Sequence, residues 1–363
     1  MILKFYRKSL LRVLFIAASF FVIFFFLYHP GEPVKQKHTF FAMGGIPVSI
    51  TVVGIDLNDF HVITKGVEEK INTWENQLSL YRKDSVVNEI SASPGKWINV
   101  PTETWEALQY SKEAYNISEG AFDITVGPLV KRWKQAEKEN KLPSDSDIDI
   151  IHKTIGFNRI LFRKEDCAIK IATFDIDDFN AHGSSASISI DIGGIAKGLF
   201  AEWILEYIES SAPSHQNLRK IVVNMGGDMF CRSYDPEIDC VVGIRDPVDK
   251  SIWGTLLIKN GAVVTSGTYE RFYMIEDKKY NHIIDPRNGF PIQTDMVSAT
   301  IWAQNGAIAD ALATAVFVLG EKKGFNLIQK MERTDLLIIR NDGSWKSTMG
   351  IQNKLNVLAD NSS

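Results

Sequence analysis

The segment from Val13 to Tyr28, VLFIAASFFVIFFFLY, constrains this chain more than any other stretch. Ser19 is its one clearly polar residue, and it carries no charge. With Leu10 and Leu11 in front, it reaches the roughly 17–25 apolar residues that cross a bilayer as a helix. It lacks an amphipathic period, so it suits the core of a soluble domain poorly. Six of the 21 Phe fall here: Phe15, Phe20, Phe21, Phe24, Phe25 and Phe26. Lys4, Arg7, Lys8 and Arg12 lie before or at its start, and no acid occurs before Glu32. Such a basic flank stays in the cytoplasm and leaves the bulk of the chain outside. Signal-peptide cleavage wants small residues after the apolar core. Leu27-Tyr28-His29-Pro30 is a poor site, and no Cys follows for lipoprotein processing. The expectation is a retained signal anchor over 1–28, a proline-bearing linker over 29–38 (HPGEPVKQKH) and one domain over 39–363.

Outside the basic flank, 36 cations face 44 acids, a net charge of −8. That balance argues against nucleic acid as a partner. With 45% hydrophobic and 23% charged residues the chain is neither disordered nor fibrous. Three cysteines, Cys167, Cys231 and Cys240, forbid a complete disulfide framework. Cys231 and Cys240 either bridge across the Tyr234-Asp235-Pro236 turn in an oxidising compartment or stay as buried thiols. No CxxC or His/Cys spacing suggests zinc.

The remainder reads as α+β. Ile46, Val48, Ile50 and Val52 alternate as a strand does. Helices are expected at 57–77, 103–118 (stopping near Gly120), from 143–149, and at 195–210, 307–319 and 321–331. Strands are expected at 219–224, 240–245, 256–265 and 297–303, with a final one at 335–341. Residues 174–184 read as an acidic loop or hairpin. Strands and helices do not alternate strictly, which argues against a doubly wound parallel sheet.

Chemistry gathers at glycine-flanked turns. Asp191-Ile192-Gly193-Gly194-Ile195-Ala196-Lys197-Gly198 ends a strand and opens a helix, where backbone N–H groups and Lys197 favour phosphate. It matches neither G-x-G-x-x-G nor G-x-x-x-x-G-K-[ST], and alone it reads better as a tight strand-to-helix turn. Asn224 to Asp228, Thr265 to Arg271 and His282 to Gly289 are three further polar turns; four in one chain suggest loops converging on one site. Asp123 and Thr125 are polar islands in Gly120 to Val130, explicable as buried caps or as ligand contacts. Asp310 and Thr314 share one face of an otherwise Ala/Val/Leu-rich helix. An acid there is costly unless paired or bound to a hard cation, and a helix-dipole role is the alternative.

Together these motifs resemble the ApbE family, the FAD:protein FMN transferases, over about residues 38–345 and in family order. The match runs through Phe41-Ala42-Met43-Gly44, Leu78 to Arg82, Gly120 to Trp133, Asp191 to Gly198, Asn224 to Asp228, Thr265 to Arg271, His282 to Pro291 and Asp310 to Gly320. The resemblance implies a single T-fold-like α+β domain with a mixed, largely antiparallel sheet. It implies Mg²⁺-dependent transfer of FMN from FAD to a Thr or Ser hydroxyl of an acceptor protein, with release of AMP. Metal ligands would be Asp310, Thr314 and the Gly194 carbonyl. FAD contacts would be Met43, Tyr81, Ala121, Phe122, Asp123, Asp191, Lys197 and the backbone near Ile284. His282 or Asp191 would serve as base. The acceptor would be a flavoprotein such as a subunit of a membrane redox complex, met on the periplasmic side of the cytoplasmic membrane. Two departures stand out: Gly45, where Thr often follows Met-Gly, and Gly194, where a small side chain is common. Tyr81 favours transfer, since relatives with Asn there mainly hydrolyse FAD. An FAD pyrophosphatase and a non-catalytic flavin-binding protein are the alternatives. Asp342-Gly343-Ser344 reads as an exposed turn, not a self-modification site.

Overall fold

The computed structural model describes residues 34–173, 188–213, 217–247, 249–268 and 272–358. The expected anchor, the 174–184 loop and Tyr269 to Arg271 lie outside or largely outside that set. Among the described residues no helix is long and apolar enough to cross a membrane.

An eight-stranded sheet, ordered β1-β2-β6-β7-β10-β13-β14-β15, organises the chain, and each neighbouring pair is antiparallel. Its strands are β1 Lys35–Ala42, β2 Ile46–Val53, β6 Lys220–Met225, β7 Asp228–Ser233, β10 Asn260–Gly267, β13 Met296–Ala303, β14 Thr334–Arg340 and β15 Trp345–Ser347. Period-two alternation splits its side chains between two cores. Ile50, Val52, Ile221, Val223, Val264 and Ile301 face the helices in the main core. Cys231, Val263, Leu337 and Ile339 point the other way. There a three-stranded sheet covers them: β16 Leu355–Val357, β9 Ile252–Ile258 and β8 Cys240–Arg245. Cys231 and Cys240 form a disulfide across this second core, with Cα atoms 6.6 Å apart. Cys167 is free.

The helices are α1 Leu57–Leu78, α2 Val86–Ala92, α3 Thr102–Ile117, α4 Gly127–Glu139, α5 Asp145–His152, α6 Ala196–Ser211, α7 Gly306–Leu319, α8 Glu321–Ile328 and α9 Met349–Gln352. Asp56 caps α1 by accepting from the N–H groups of Asn58 and Asp59, and Ser144 with Asp147 forms a capping box on α5. The smaller strands β3 Ile98–Asn99, β4 Ile160–Arg163 and β5 Ala168–Ile171 make a third sheet. β11 Phe272–Ile275 and β12 Lys278–Asn281 make a hairpin.

Several expectations change. Residues 35–38, read as linker, begin the edge strand β1, where His38 Nε2 donates to Glu68 Oε1 at 2.7 Å. The apolar run at 256–265 is two strands in different sheets, not one. Lys259 separates them, and Gly261, second in β10, takes φ +105°, where a Cβ would stand 2.4 Å from the Ala303 carbonyl oxygen. The chain does not end its strands at 341, since β15 and β16 follow. The expected strand before Gly193 is only an isolated parallel bridge between Ser189 and Val126.

Candidate active site

Two helices deliver the central carboxylate. A Cβ on Gly198 of α6 would lie 2.1 Å from the Gly306 carbonyl oxygen. Glycine therefore lets the backbones of α6 and α7 touch. Glu202, one turn along α6, accepts the Gly306 N–H at 2.7 Å. This close crossing brings Asp310, 3% exposed, to the Gly198 N–H, which donates to its Oδ2 at 3.0 Å.

Lys197 completes the cluster. Its Nζ lies 3.7 Å from Asp310 Oδ1 and pairs with Asp228 Oδ2. Asp228, also buried, accepts the Thr265 N–H at 2.9 Å through its other oxygen. The Lys197 ammonium is thus shared between two acids, whereas its sequence motif suggested phosphate alone. Burial pushes the Asp310 carboxyl up to about 6, Asp228 adds to this, and Lys197 and the Gly198 N–H oppose it. Asp228 stood in a recognised turn motif without an assigned role. Its signal, an acid opening a strand after a Gly pair, carries no distance information in sequence.

Thr314 lies one turn beyond Asp310 on α7. A Cβ built on Gly194 would stand 3.6 Å from Thr314 Oγ1 and 3.0 Å from the Phe122 ring. Two of the expected metal-ligand positions, Gly194 and Thr314, therefore approach each other with Phe122 beside them, and Asp310 stands one turn from Thr314 on α7. Among the described residues no group of three or more His, Cys, Asp or Glu has metal-holding geometry. The donors here are one carboxylate, one hydroxyl and one carbonyl, an all-oxygen set of the kind Mg²⁺ takes. A buried acid held above its normal range, next to a hydroxyl, fits a hard divalent cation.

The other expected residues make these contacts. Asp191 donates its N–H to the Ile124 carbonyl at 2.7 Å, and its Oδ1 accepts from Gly193 at 2.9 Å. Asp123 accepts from the Thr125 N–H and hydroxyl and from the Phe157 N–H, so its carboxylate organises its own loop. Burial raises its pKa, and these hydrogen bonds partly offset the rise. Ala121 and Phe122 are buried beyond a chain reversal at Glu119 and Gly120, both with positive φ. Ile284 is buried and bridges to Pro291. His282 is half-buried just beyond β12.

Met43 and Tyr81 lie on two separate turns. Met43, Gly44 and Gly45 turn β1 into β2 with φ of +51°, +75° and +113°. Glycine at 45, the departure from Thr, suits a conformation that a β-branched residue rarely adopts. Glu75 Oε1 accepts the Met43 N–H at 2.5 Å. Tyr81 is 84% exposed on a loop that Asn88 holds by donating to the carbonyls of Leu80 and Arg82. On β11, Tyr273 is buried, and burial with the charges of Glu137 and Asp191 and the nearby Tyr81 pushes its phenol up to about 12.

Comparison with known proteins agrees with this architecture. The ApbE family model matches residues 44–338. This chain belongs to the ApbE family, and it is a transferase enzyme of that family. A Treponema pallidum relative called FAD:protein FMN transferase is 30% identical over 312 residues, covering 83% of each chain. A Klebsiella pneumoniae protein of the same name is 25% identical over 298 residues, 81% of this chain and 86% of its own. The crystal structure of the ApbE protein from Thermotoga maritima superposes with a TM-score of 0.75 at 27% identity, covering 88% of this chain and 99% of that one. The apo flavinyl transferase ApbE of Pseudomonas stutzeri gives 0.73 at 21% identity, covering 91% and 99%, and supports the fold.

Proposed function

We propose that this chain moves FMN from FAD to a Thr or Ser hydroxyl of an acceptor protein, leaving a phosphoester and releasing AMP. The observation that carries the reading is the buried Asp310 carboxylate, set between Lys197 and the Gly198 N–H with Thr314 and Gly194 alongside. Asp310, Thr314 and the Gly194 carbonyl would hold Mg²⁺, which when bound supplies charge neutralisation at the diphosphate. Phosphoryl transfer otherwise depends on positioning more than on covalent catalysis. Lys197 contributes positive charge at the same point, oriented by Asp228. Met43 and Tyr81 present a thioether and a phenol, suited to packing on a flat ring. The acceptor oxygen bonds to the FMN phosphorus, the bond to the AMP phosphate breaks, and the hydroxyl proton passes to Asp191 or His282.

Residues 13–28 anchor the chain in the cytoplasmic membrane in this reading, with the catalytic domain outside. The Cys231–Cys240 disulfide supports an oxidising compartment. A membrane redox-complex subunit is the proposed acceptor.

The test uses the full-length chain in detergent with FAD, Mg²⁺ and a candidate acceptor domain. A mass gain on the acceptor equal to FMN, with AMP released, is the expected result. AMP and free FMN without that gain indicate hydrolysis, and intact bound FAD indicates a binding protein.

A further inference from the structure

The segment 282–291 carries His282 and Ile284, and three side chains fasten it to its surroundings. Trp133 of α4 donates its Nε1–H to the Gly289 carbonyl at 3.0 Å. His152, the last residue of α5, donates through Nε2 to the Pro286 carbonyl at 2.9 Å. The third fastening is Arg287. Its Nε and Nη2 donate to Oδ1 and Oδ2 of Asp285 at 2.8 and 2.7 Å. Nη2 also donates to the Val318 carbonyl at 3.2 Å.

Val318 lies in the last turn of α7, where carbonyls lack a partner within the helix. It is buried, so a donor has to come from the protein, and a cation suits that end of the helix dipole. Asp310, Thr314 and Val318 follow one another at intervals of four, which sets them in one row along α7. Val318 is about 6 Å along the axis from Thr314, at 1.5 Å per residue. Asp285, also buried, is fixed within its own turn: its N–H donates to the Phe290 carbonyl at 2.9 Å, and its Oδ1 accepts the Arg287 N–H at 2.9 Å. The Arg287 fork therefore ties a rigid turn to the helix row that carries two expected metal ligands. Ile284 has supports of its own, since it bridges to Pro291 and packs with Leu129 and Trp133.

We propose that Arg287 is a positioning residue. By joining Asp285 to the Val318 carbonyl it sets the His282 segment against the Asp310–Thr314 row, and so governs the rate of transfer while leaving FAD affinity alone. This rests on the flavin-transfer reading.

The experiment compares the full-length chain with Arg287→Lys and Arg287→Ala. A lysine ammonium keeps the charge opposite Asp285 but cannot reproduce the planar fork. Counted per FAD-binding site, so that unfolded protein does not enter, kcat should fall about 10- to 100-fold in both variants, the range for a small displacement of groups around the reacting atoms. The Kd for FAD, titrated in EDTA, should stay at the wild-type value. The Arg287 side chain is 36% exposed, which leaves solvent a path to its place. Added guanidinium should therefore restore part of the rate to Arg287→Ala, and ammonium should not. Amide exchange over 282–291, measured without metal or FAD, should quicken in both variants, while that of β8 should not. Arg163→Ala removes a fork of the same kind, to Asp166, from the third sheet and should leave kcat and KM unchanged. Wild-type kcat in Arg287→Lys and Arg287→Ala overturns the proposal. FAD affinity that falls in the same ratio as kcat also overturns it, because that marks a substrate-binding role. Wild-type protein that consumes no FAD defeats the flavin-transfer reading itself, whereas active wild type with unaltered variants defeats only the role of Arg287.

Discussion

Replacing Asp310 by Asn should make the metal-free protein more stable and inactive at once. The substitution keeps the shape and an oxygen able to accept the Gly198 N–H, but removes the charge. Burial pushes the carboxyl up to about 6 in the folded chain from its ordinary 3.8. Two pKa units correspond to about 3 kcal/mol, the cost of keeping the buried acid ionised at pH 7. The folded pKa is the higher one, so the folded state holds the extra proton between about pH 4 and pH 6. Wild-type stability therefore falls as pH rises through that window, and the full cost applies above it. Asp310→Asn removes the cost, so urea unfolding with EDTA at pH 7 should show a gain of up to about 3 kcal/mol. Near pH 4 both proteins are neutral at this position and the gain should vanish. Lys197 keeps Asp228 as partner, which limits the loss on the other side of the ledger. Excess Mg²⁺ should stabilise the wild type, by about 2.7 kcal/mol at a hundredfold over Kd, and leave the variant unmoved. A variant less stable at pH 7, or equally stabilised at pH 7 and pH 4, would refute the electrostatic reasoning.

Other outcomes follow from the same geometry. Gly198→Ala should push α6 from α7, costing about 1–3 kcal/mol in chemical unfolding and nearly all transfer activity, because its Cβ meets the Gly306 carbonyl. Cys231→Ser should cost about 3 kcal/mol, from a loop of nine residues' separation, and reductant should remove the difference from wild type. Mg²⁺ affinity measured by titration should fall about tenfold per pH unit below 6 and level off above it, as Asp310 protonation competes with the cation. EDTA should stop FMN transfer and added Mg²⁺ restore it.

Much of the fold was legible where a local pattern has one physical solution. The alternation from Ile46 to Val52 appears as β2, and the 307–319 helix as α7 within one residue. The 240–245 strand has the expected bounds. The pattern misled where two solutions share one signature. Residues 256–265 are apolar on both sides of Lys259-Asn260-Gly261, yet at Lys259 the chain passes from the small sheet into the large one. Residues 35–38 look like linker because a solvent-facing edge strand needs few apolar side chains, and Lys35 and Lys37 point outward.

At the site, Asp310 and Thr314 were readable as a pair because helical spacing alone sets them on one face. Gly194 joined them by family resemblance. Residue type and spacing along this chain determined the α+β class, the glycine turns and the candidate oxygen ligands. They could not determine that Lys197 is gripped by Asp228, 31 residues away, or that Asp310 meets Gly198 from a separation of 112. Local sequence encodes which face a side chain takes on its own element. Only the packing of elements distant in the chain decides which charges share a buried space, and therefore which of them are shifted, paired or left to a ligand.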